Sequence, residues 1–312
     1  MRKLDVDLPA LQCVVGRLFP FRDVTIERTA EGTSTQVYRL RFDNEVCYLR
    51  VAEEASASLA PEAAIHQVLH SRGVRVPAVI HFEPFDKGLQ RSLLVTTEIR
   101  GESVKHVQSS VIREAIVRAA GRDLGVLNSI PVNGFGWIRR DGGLSTELEA
   151  EHPTNRAFAL NQLDRHLDQL RDGMFTQPEV GRIRASIADH DPWLDADHAY
   201  LAHGDFDLTH IYQSNGRYTG IIDFGEVRGT TSLYDLGHFN LHDGETVPER
   251  LLPSLLDGYR EAARLPAEHE RRISFMSLMI GIEALVRSLR HGPTNYSRYL
   301  TQAIRAAMAA LG

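Results

Sequence analysis

Residues 203–225 read His-Gly-Asp-Phe-Asp-Leu-Thr-His-Ile-Tyr-Gln-Ser-Asn-Gly-Arg-Tyr-Thr-Gly-Ile-Ile-Asp-Phe-Gly, and this block constrains the chain more than any other. Asn215-Gly216 sits between two short strand-like runs, Ile211–Ser214 and Arg217–Ile222. An Asn-Gly pair in that setting is a strong signal for a two-residue hairpin, because both turn positions need positive φ. Pairing Ser214 with Arg217 sets Gln213 against Tyr218, Ile211 against Gly220 and His210 against Ile221. Asp223 then emerges two residues beyond the partner of His210. His203, Asp205, His210 and Asp223 therefore gather near the open end of one hairpin.

The rest of the chain arranges itself around that block. Leu8, Leu11, Val14, Val15 and Leu18 recur at helical period with Pro9 near the start, which predicts a leading helix over 8–18. Short β-rich runs follow at 24–26, 36–40 and 46–51, with Asp43-Asn44 as the turn between the last two. A helix is expected from Pro61 to Ser71, ended by Gly73, and strands recur near 79–83 and 92–98. The character changes at Arg100-Gly101-Glu102-Ser103. Beyond it, 104–130, 154–172 and 178–190 read as helix, and after the hairpin so do 247–264, 268–290 and 294–310. The expected organisation is α+β in two lobes, a small β-rich N-lobe over 1–99 and a large helical C-lobe over 100–312. A short hinge between two such lobes suggests a nucleotide cleft.

Several side chains carry chemistry in that frame. Asp205 can accept or orient the proton of an incoming hydroxyl, a step worth about 10²- to 10⁴-fold in rate. His203, two residues earlier, is expected to brace the same catalytic loop by hydrogen bonding. Asp223 offers a carboxylate at a strand end, where it can bind a Mg²⁺ that bridges nucleotide phosphates. His210 is the expected second metal-facing group; its nitrogen suits Mn²⁺ better than Mg²⁺, so it could bind directly, through water, or not at all. Arg50 closes the third strand and Glu62 lies one helix later, so a cation for phosphates can be aimed by a helical carboxylate. Gly32 and Ser34, in the loop Glu31-Gly32-Thr33-Ser34-Thr35, can lay backbone N–H groups over phosphates, as a short lid does. A base and metal-facing groups gathered this way are what phosphoryl transfer needs. Asp235, in Leu233-Tyr234-Asp235-Leu236-Gly237, is expected as a buried acid accepting backbone N–H groups of the catalytic loop.

Composition narrows the classes. A net charge of −6 argues against nucleic acid or an anionic membrane as the main partner. Arg carries almost all the positive charge, because Lys3, Lys87 and Lys105 are the only lysines. Cys13 and Cys47 have neither metal nor redox spacing and fit buried thiols in a reducing compartment. The acids and Pro9 near the N-terminus are unlike a secretory signal, and no run approaches the roughly 20 apolar residues of a membrane helix. A cytoplasmic enzyme is expected. Polar clusters at Asp189-His190-Asp191, Asp195, Asp197 and His198, and at Glu147, Glu149 and Glu151, read as solvated surface.

These motifs together resemble the aminoglycoside phosphotransferase family, kinase-like enzymes that include antibiotic and small-metabolite kinases. The resemblance runs through the Gly32 loop, Tyr48-Leu49-Arg50-Val51, the Glu62 helix, Thr96–Glu102, Gly134-Phe135-Gly136-Trp137, His203-Gly204-Asp205, Asp223-Phe224-Gly225 and Tyr234-Asp235-Leu236. It implies a protein-kinase-like fold and transfer of the γ-phosphate of ATP or GTP to a hydroxyl of a small molecule, with Mg²⁺ or Mn²⁺. By that match Asp205 is the catalytic aspartate, Asp223 a metal ligand, and the backbone near Thr97, Glu98 and Ile99 contacts the nucleotide base. Two positions depart from the common pattern. Arg50 stands where Lys is usual and His210 where Asn is usual, the latter resembling macrolide kinases. An aminoglycoside or a macrolide is the expected acceptor. The alternative is a catalytically weakened nucleotide-binding protein, and a metallohydrolase reading of the His and Asp cluster leaves the β-rich lobe unexplained.

Overall fold

The computed structural model describes residues 6–29, 36–140, 147–171 and 173–312. The chain divides into two compact units. The first comprises Met1–Arg100, Arg139–Leu148 and Gly220–Gly225; the second comprises Gly101–Ile138, Glu149–Thr219 and Glu226–Gly312.

The first unit starts with α1 (Leu8–Leu18), where Pro9 sits in the first turn and the Asp7 carboxylate accepts from Ala10 N at 3.1 Å. That cap satisfies one donor the helix start leaves over. An antiparallel sheet follows from β1 (Thr25–Arg28), β2 (Gln36–Phe42) and β3 (Glu45–Val51), with α2 (Ala60–Ser71) inserted before β4 (Val79–Asp86) and β5 (Arg91–Thr97). The strand order is β1-β2-β3-β5-β4. Alternation sorts the two faces. Tyr38, Leu40, Phe42, Cys47, Leu49, Val51, Leu93 and Val95 pack with Leu11, Val14 and Val15 of α1. The other face holds Leu94, which clusters with Leu59 and Ala63 at the start of α2. Arg50 pairs with Leu94 across β3 and β5. The pleat therefore turns Arg50 toward α2 and away from the α1 core.

The second unit contains β6 (Glu102–Ser103), α3 (Ser110–Leu127), β7 (Pro131–Val132), β8 (Phe135–Ile138), β9 (Ala150–His152), α4 (Asn155–Leu160), α5 (Leu163–Arg171), α6 (Gln177–Asp189), β10 (Ala199–Ala202) and β11 (Ile211–Ser214). The chain crosses out of this unit along β12 (Arg217–Ile221) and returns for β13 (Arg228–Thr230), α7 (Tyr234–His242), α8 (Leu252–Ala262), α9 (His269–Ser288) and α10 (Asn295–Leu311). Strands β7-β10-β13-β8-β9 make a second sheet, and β12-β11-β6 make a third. The expected single helix over 154–172 is two, α4 and α5, interrupted at Asn161-Gln162. The stretch 104–130 opens with a 3-10 turn at Val104–His106 before α3 begins.

Helix α3 packs on α8 through backbone contact. A Cβ at Gly258 would overlap the Arg118 carbonyl oxygen, and one at Gly121 would overlap the carbonyl of Leu255. This close approach positions α3, whose C-cap Asn128 bonds to Leu201 O at the end of β10. Gly258→Ala is expected to destabilise the protein by about 1–3 kcal/mol through overpacking, read as a lower urea midpoint with an unchanged denaturant slope.

Candidate active site

The loop after β10 is held by one buried carboxylate. Asp235, in the first turn of α7 and 0% exposed, accepts His203 N on Oδ2 at 2.8 Å and Gly204 N on Oδ1 at 2.9 Å. Asn128 donates its side-chain amide to Asp235 Oδ2 at 2.8 Å and to Leu201 O at 3.0 Å. The role expected for Asp235 is thus the one it performs; Asn128 carried no motif that would have marked it. Gly204 has φ +88, and a Cβ there would overlap the Glu226 carbonyl oxygen, so the Gly of His-Gly-Asp is required by space as well as conformation. His203 is fully buried, and its Nδ1 accepts from Asp205 N at 3.3 Å. At the far end of the loop Ser103 Oγ donates to Leu208 O at 2.7 Å. Buried Arg228 closes the surroundings: its guanidinium donates to Tyr234 OH at 2.7 Å and Glu226 O at 3.1 Å, and lies 4.1 Å from the Trp137 ring centroid.

Asp205 itself is 43% exposed at its side chain and stands among imidazoles. His238 Nε2 lies 3.3 Å from Asp205 Oδ1 and His210 Nε2 lies 4.0 Å from Oδ2. Burial pushes the Asp205 carboxyl up, but the hydrogen bond and charge of His238, with the charges of His210 and His203, outweigh it and hold the group well below the usual carboxylate range. Burial pushes His238 down, and Asp205 more than reverses this, so His238 is raised. His210 places Nδ1 at 2.6 Å from Asp205 O and 3.6 Å from Asp207 Oδ1. The sequence reading overlooked His238. Its signal was spacing: three residues after Asp235 on a helix, it shares that residue's face.

A hollow of about 170 Å³ opens beside Asp205, lined also by Asp207, Thr209, His242, Glu245 and Tyr296. His242 Nδ1 is 2.7 Å from Glu245 Oε2, and its ring stacks on Tyr296 at 6.0 Å between centroids. Burial pushes the Tyr296 hydroxyl up to about 12. The hollow is acidic and aromatic.

In the first unit Arg50 is paired with acids. Arg50 Nη1 is 2.9 Å from Glu62 Oε1 and 3.6 Å from Asp223 Oδ1. Glu62 is 2% exposed; burial raises its carboxyl, opposed by Arg50 and then Arg140. Such a buried acid is useful only while its cation stays beside it. His66, one turn along α2, lies 4.0 Å from Glu62 Oε1 and meets the Phe224 ring edge-on at 4.9 Å. Arg140 donates to Gly225 O at 2.7 Å. Asp223 has φ +65, a left-handed conformation that Asp tolerates better than most residues. Thr97 ends β5 with its N–H on Ala78 O and its Oγ1 accepting from Ala78 N, each at 2.9 Å. The Glu98 carboxylate is engaged by Arg39 at 3.2 Å, and Ile99 lies outside any regular element. Gly32 and Ser34 lie outside the described residues.

The donor set suits a hard cation at Asp223, whose oxygens are the ligand type Mg²⁺ takes, normally one or two carboxylates with phosphates and water. Among the described residues no group of three or more His, Cys, Asp or Glu could hold a metal. The acids at Asp191 and Asp195 are engaged by Arg156, at 2.5 and 2.9 Å. Asp235→Asn places an amide where backbone donors point; it is expected to cost about 3 kcal/mol and to raise amide hydrogen exchange at 203–205 first.

No curated protein sequence matches the chain. Among solved structures, a thermostable mutant of aminoglycoside phosphotransferase APH(4)-Ia in ternary complex with AMP-PNP and hygromycin B superposes with a TM-score of 0.70 at 16% identity, covering 96% of this chain and 98% of that one. The macrolide 2'-phosphotransferase MphH from Brachybacterium faecium gives 0.60 at 17% identity, covering 98% of each. Both likenesses establish the two-lobed, kinase-like fold. The sequence model of the phosphotransferase enzyme family (APH) matches residues 25–273, a span that holds Arg50, Glu62, the whole His203–Gly225 block, Asp235 and His238, and the chain belongs to that family.

Proposed function

We propose that the protein transfers the γ-phosphate of ATP or GTP to a hydroxyl of an amino sugar. The observation that carries the reading is Asp205, a carboxylate beside the His238 and His210 imidazoles on a loop tied to Asp235, at the edge of an acidic, aromatic hollow. In the transfer the acceptor oxygen bonds to the γ-phosphorus and its proton passes to Asp205. The bond from that phosphorus to the β,γ-bridging oxygen breaks, and its electrons leave with the nucleoside diphosphate. Arg50, steered by Glu62, supports the donor phosphates, and Asp223 would hold Mg²⁺, which when bound offsets phosphate charge. Base contacts fall to the backbone near Thr97–Ile99. His210 orients Asp205 through its Nδ1 contact with the Asp205 carbonyl, and its Nε2 remains the candidate second metal donor.

The acceptor class follows from charge and shape. Asp207 and Glu245 line the hollow beside Asp205 and favour an ammonium group; the stacked His242–Tyr296 pair offers a flat surface to a sugar ring. Amino sugars occur in aminoglycosides and in macrolides alike.

The test is mass-spectrometric detection of a phosphorylated product from nucleotide, Mg²⁺ and a panel of amino sugars, aminoglycosides, macrolides and neutral sugars. The expected result is a +80 Da product on amino-sugar acceptors, reduced about 10²- to 10⁴-fold in Asp205→Asn. Nucleotide binding with no transfer to any acceptor would favour the weakened binding protein instead.

A further inference from the structure

We infer that His238 is a positioning residue for Asp205: its imidazolium holds one carboxylate oxygen and leaves the other to meet the acceptor hydroxyl. The inference rests on the phosphotransfer reading of Asp205 and names a residue that the sequence motifs do not contain.

The contacts of the two His238 ring nitrogens set its charge state. His238 is buried, 6% exposed. Its Nδ1 faces Phe206 O at 3.2 Å, and a carbonyl oxygen only accepts, so Nδ1 carries a proton. Its Nε2 lies in ion-pair contact with Asp205 Oδ1 at 3.3 Å, an oxygen that a proton on Nε2 would satisfy. A ring with both nitrogens facing acceptors is an imidazolium. The charge of Asp207 supports the same state, and the His242 ring lies 4.7 Å away on the same helix. Oδ1 is thereby occupied. Oδ2, at 4.0 Å from His210 Nε2, lies beyond hydrogen-bond distance of that ring.

Two consequences follow. A carboxylate already paired with an imidazolium is a weak base, so Asp205 contributes by fixing the direction of the hydroxyl and takes its proton late, in keeping with a loose phosphoryl transition state. One short helix also controls both parts of the loop: Asp235 holds its backbone and His238 its reactive side chain, three residues apart on α7. A displacement of that helix moves scaffold and carboxylate together.

Three substitutions separate positioning from packing. Gln at 238 can reach toward Asp205 Oδ1 with its amide N–H; Asn reaches only toward Phe206 O; Leu fills space and donates nothing. His238→Asn and His238→Leu are expected to lower kcat by about 10²-fold with KM for nucleotide unchanged, and His238→Gln to recover about a tenth of wild-type kcat. Equal kcat in all variants and wild type, or losses that track Tm without recovery by Gln, would overturn the assignment. A second measurement is independent of turnover: the ¹⁵N spectrum of the wild-type protein at neutral pH should show both ring nitrogens of His238 protonated, a signal missing from His238→Gln. A neutral tautomer would overturn the inference even in an active enzyme. An imidazolium in a protein that binds nucleotide yet phosphorylates nothing would instead locate the failure in the reading of function, and remove the role of His238 with it.

Discussion

The second unit depends on the Asp235 carboxylate more than on any other single group. It is fully buried, and two backbone N–H groups and one side-chain amide converge on it. Hydrogen bonds to a charged acceptor contribute about 1.5–3 kcal/mol each, and a buried carboxylate without them would be strongly unfavourable. The same bonds set the path of His203-Gly204-Asp205, and Gly204 lets that path run close against the Glu226 carbonyl. The geometry of Asp205 is thus determined by a residue 30 positions later in the chain. Asn128 ties this arrangement to α3, whose close backbone packing on α8 holds it from behind.

Each unit has its own charged cluster. In the first, Arg50 pairs with the buried Glu62 at 2.9 Å and lies 3.6 Å from Asp223. Arg in this position is permanently charged and forked, so it can meet phosphate oxygens in pairs where an ammonium would meet them singly. In the second, imidazoles keep Asp205 ionised despite its partial burial. Acid gathers beside it.

Much of this was legible in the sequence, and the exceptions share a physical cause. Helix α1, the strands β2 and β3, and helix α2 had clear periods because one face of each is buried and the other is not. The Asn215-Gly216 turn marked the hairpin, and the motif His-Gly-Asp marked the loop. By contrast α7 is buried almost all round, from Tyr234 to Phe239, so it shows no amphipathic stripe, and the helix that organises the loop went unread. With it went His238. The strands of the second sheet are two to four residues long, too short for alternation to register, and their pairing is dictated by distant segments. Asn128 makes its contacts only after α3 and α7 have come together, and no local pattern announces that.

Calorimetric binding to Asp205→Asn and Asp223→Asn tests most directly the proposed separation of their duties. Nucleotide with Mg²⁺ should bind Asp205→Asn with near wild-type affinity although transfer is lost. Asp223→Asn should lose metal-dependent nucleotide affinity while still binding an amino-sugar acceptor. Loss of nucleotide binding in Asp205→Asn, or unaltered metal-dependent binding in Asp223→Asn, would contradict it.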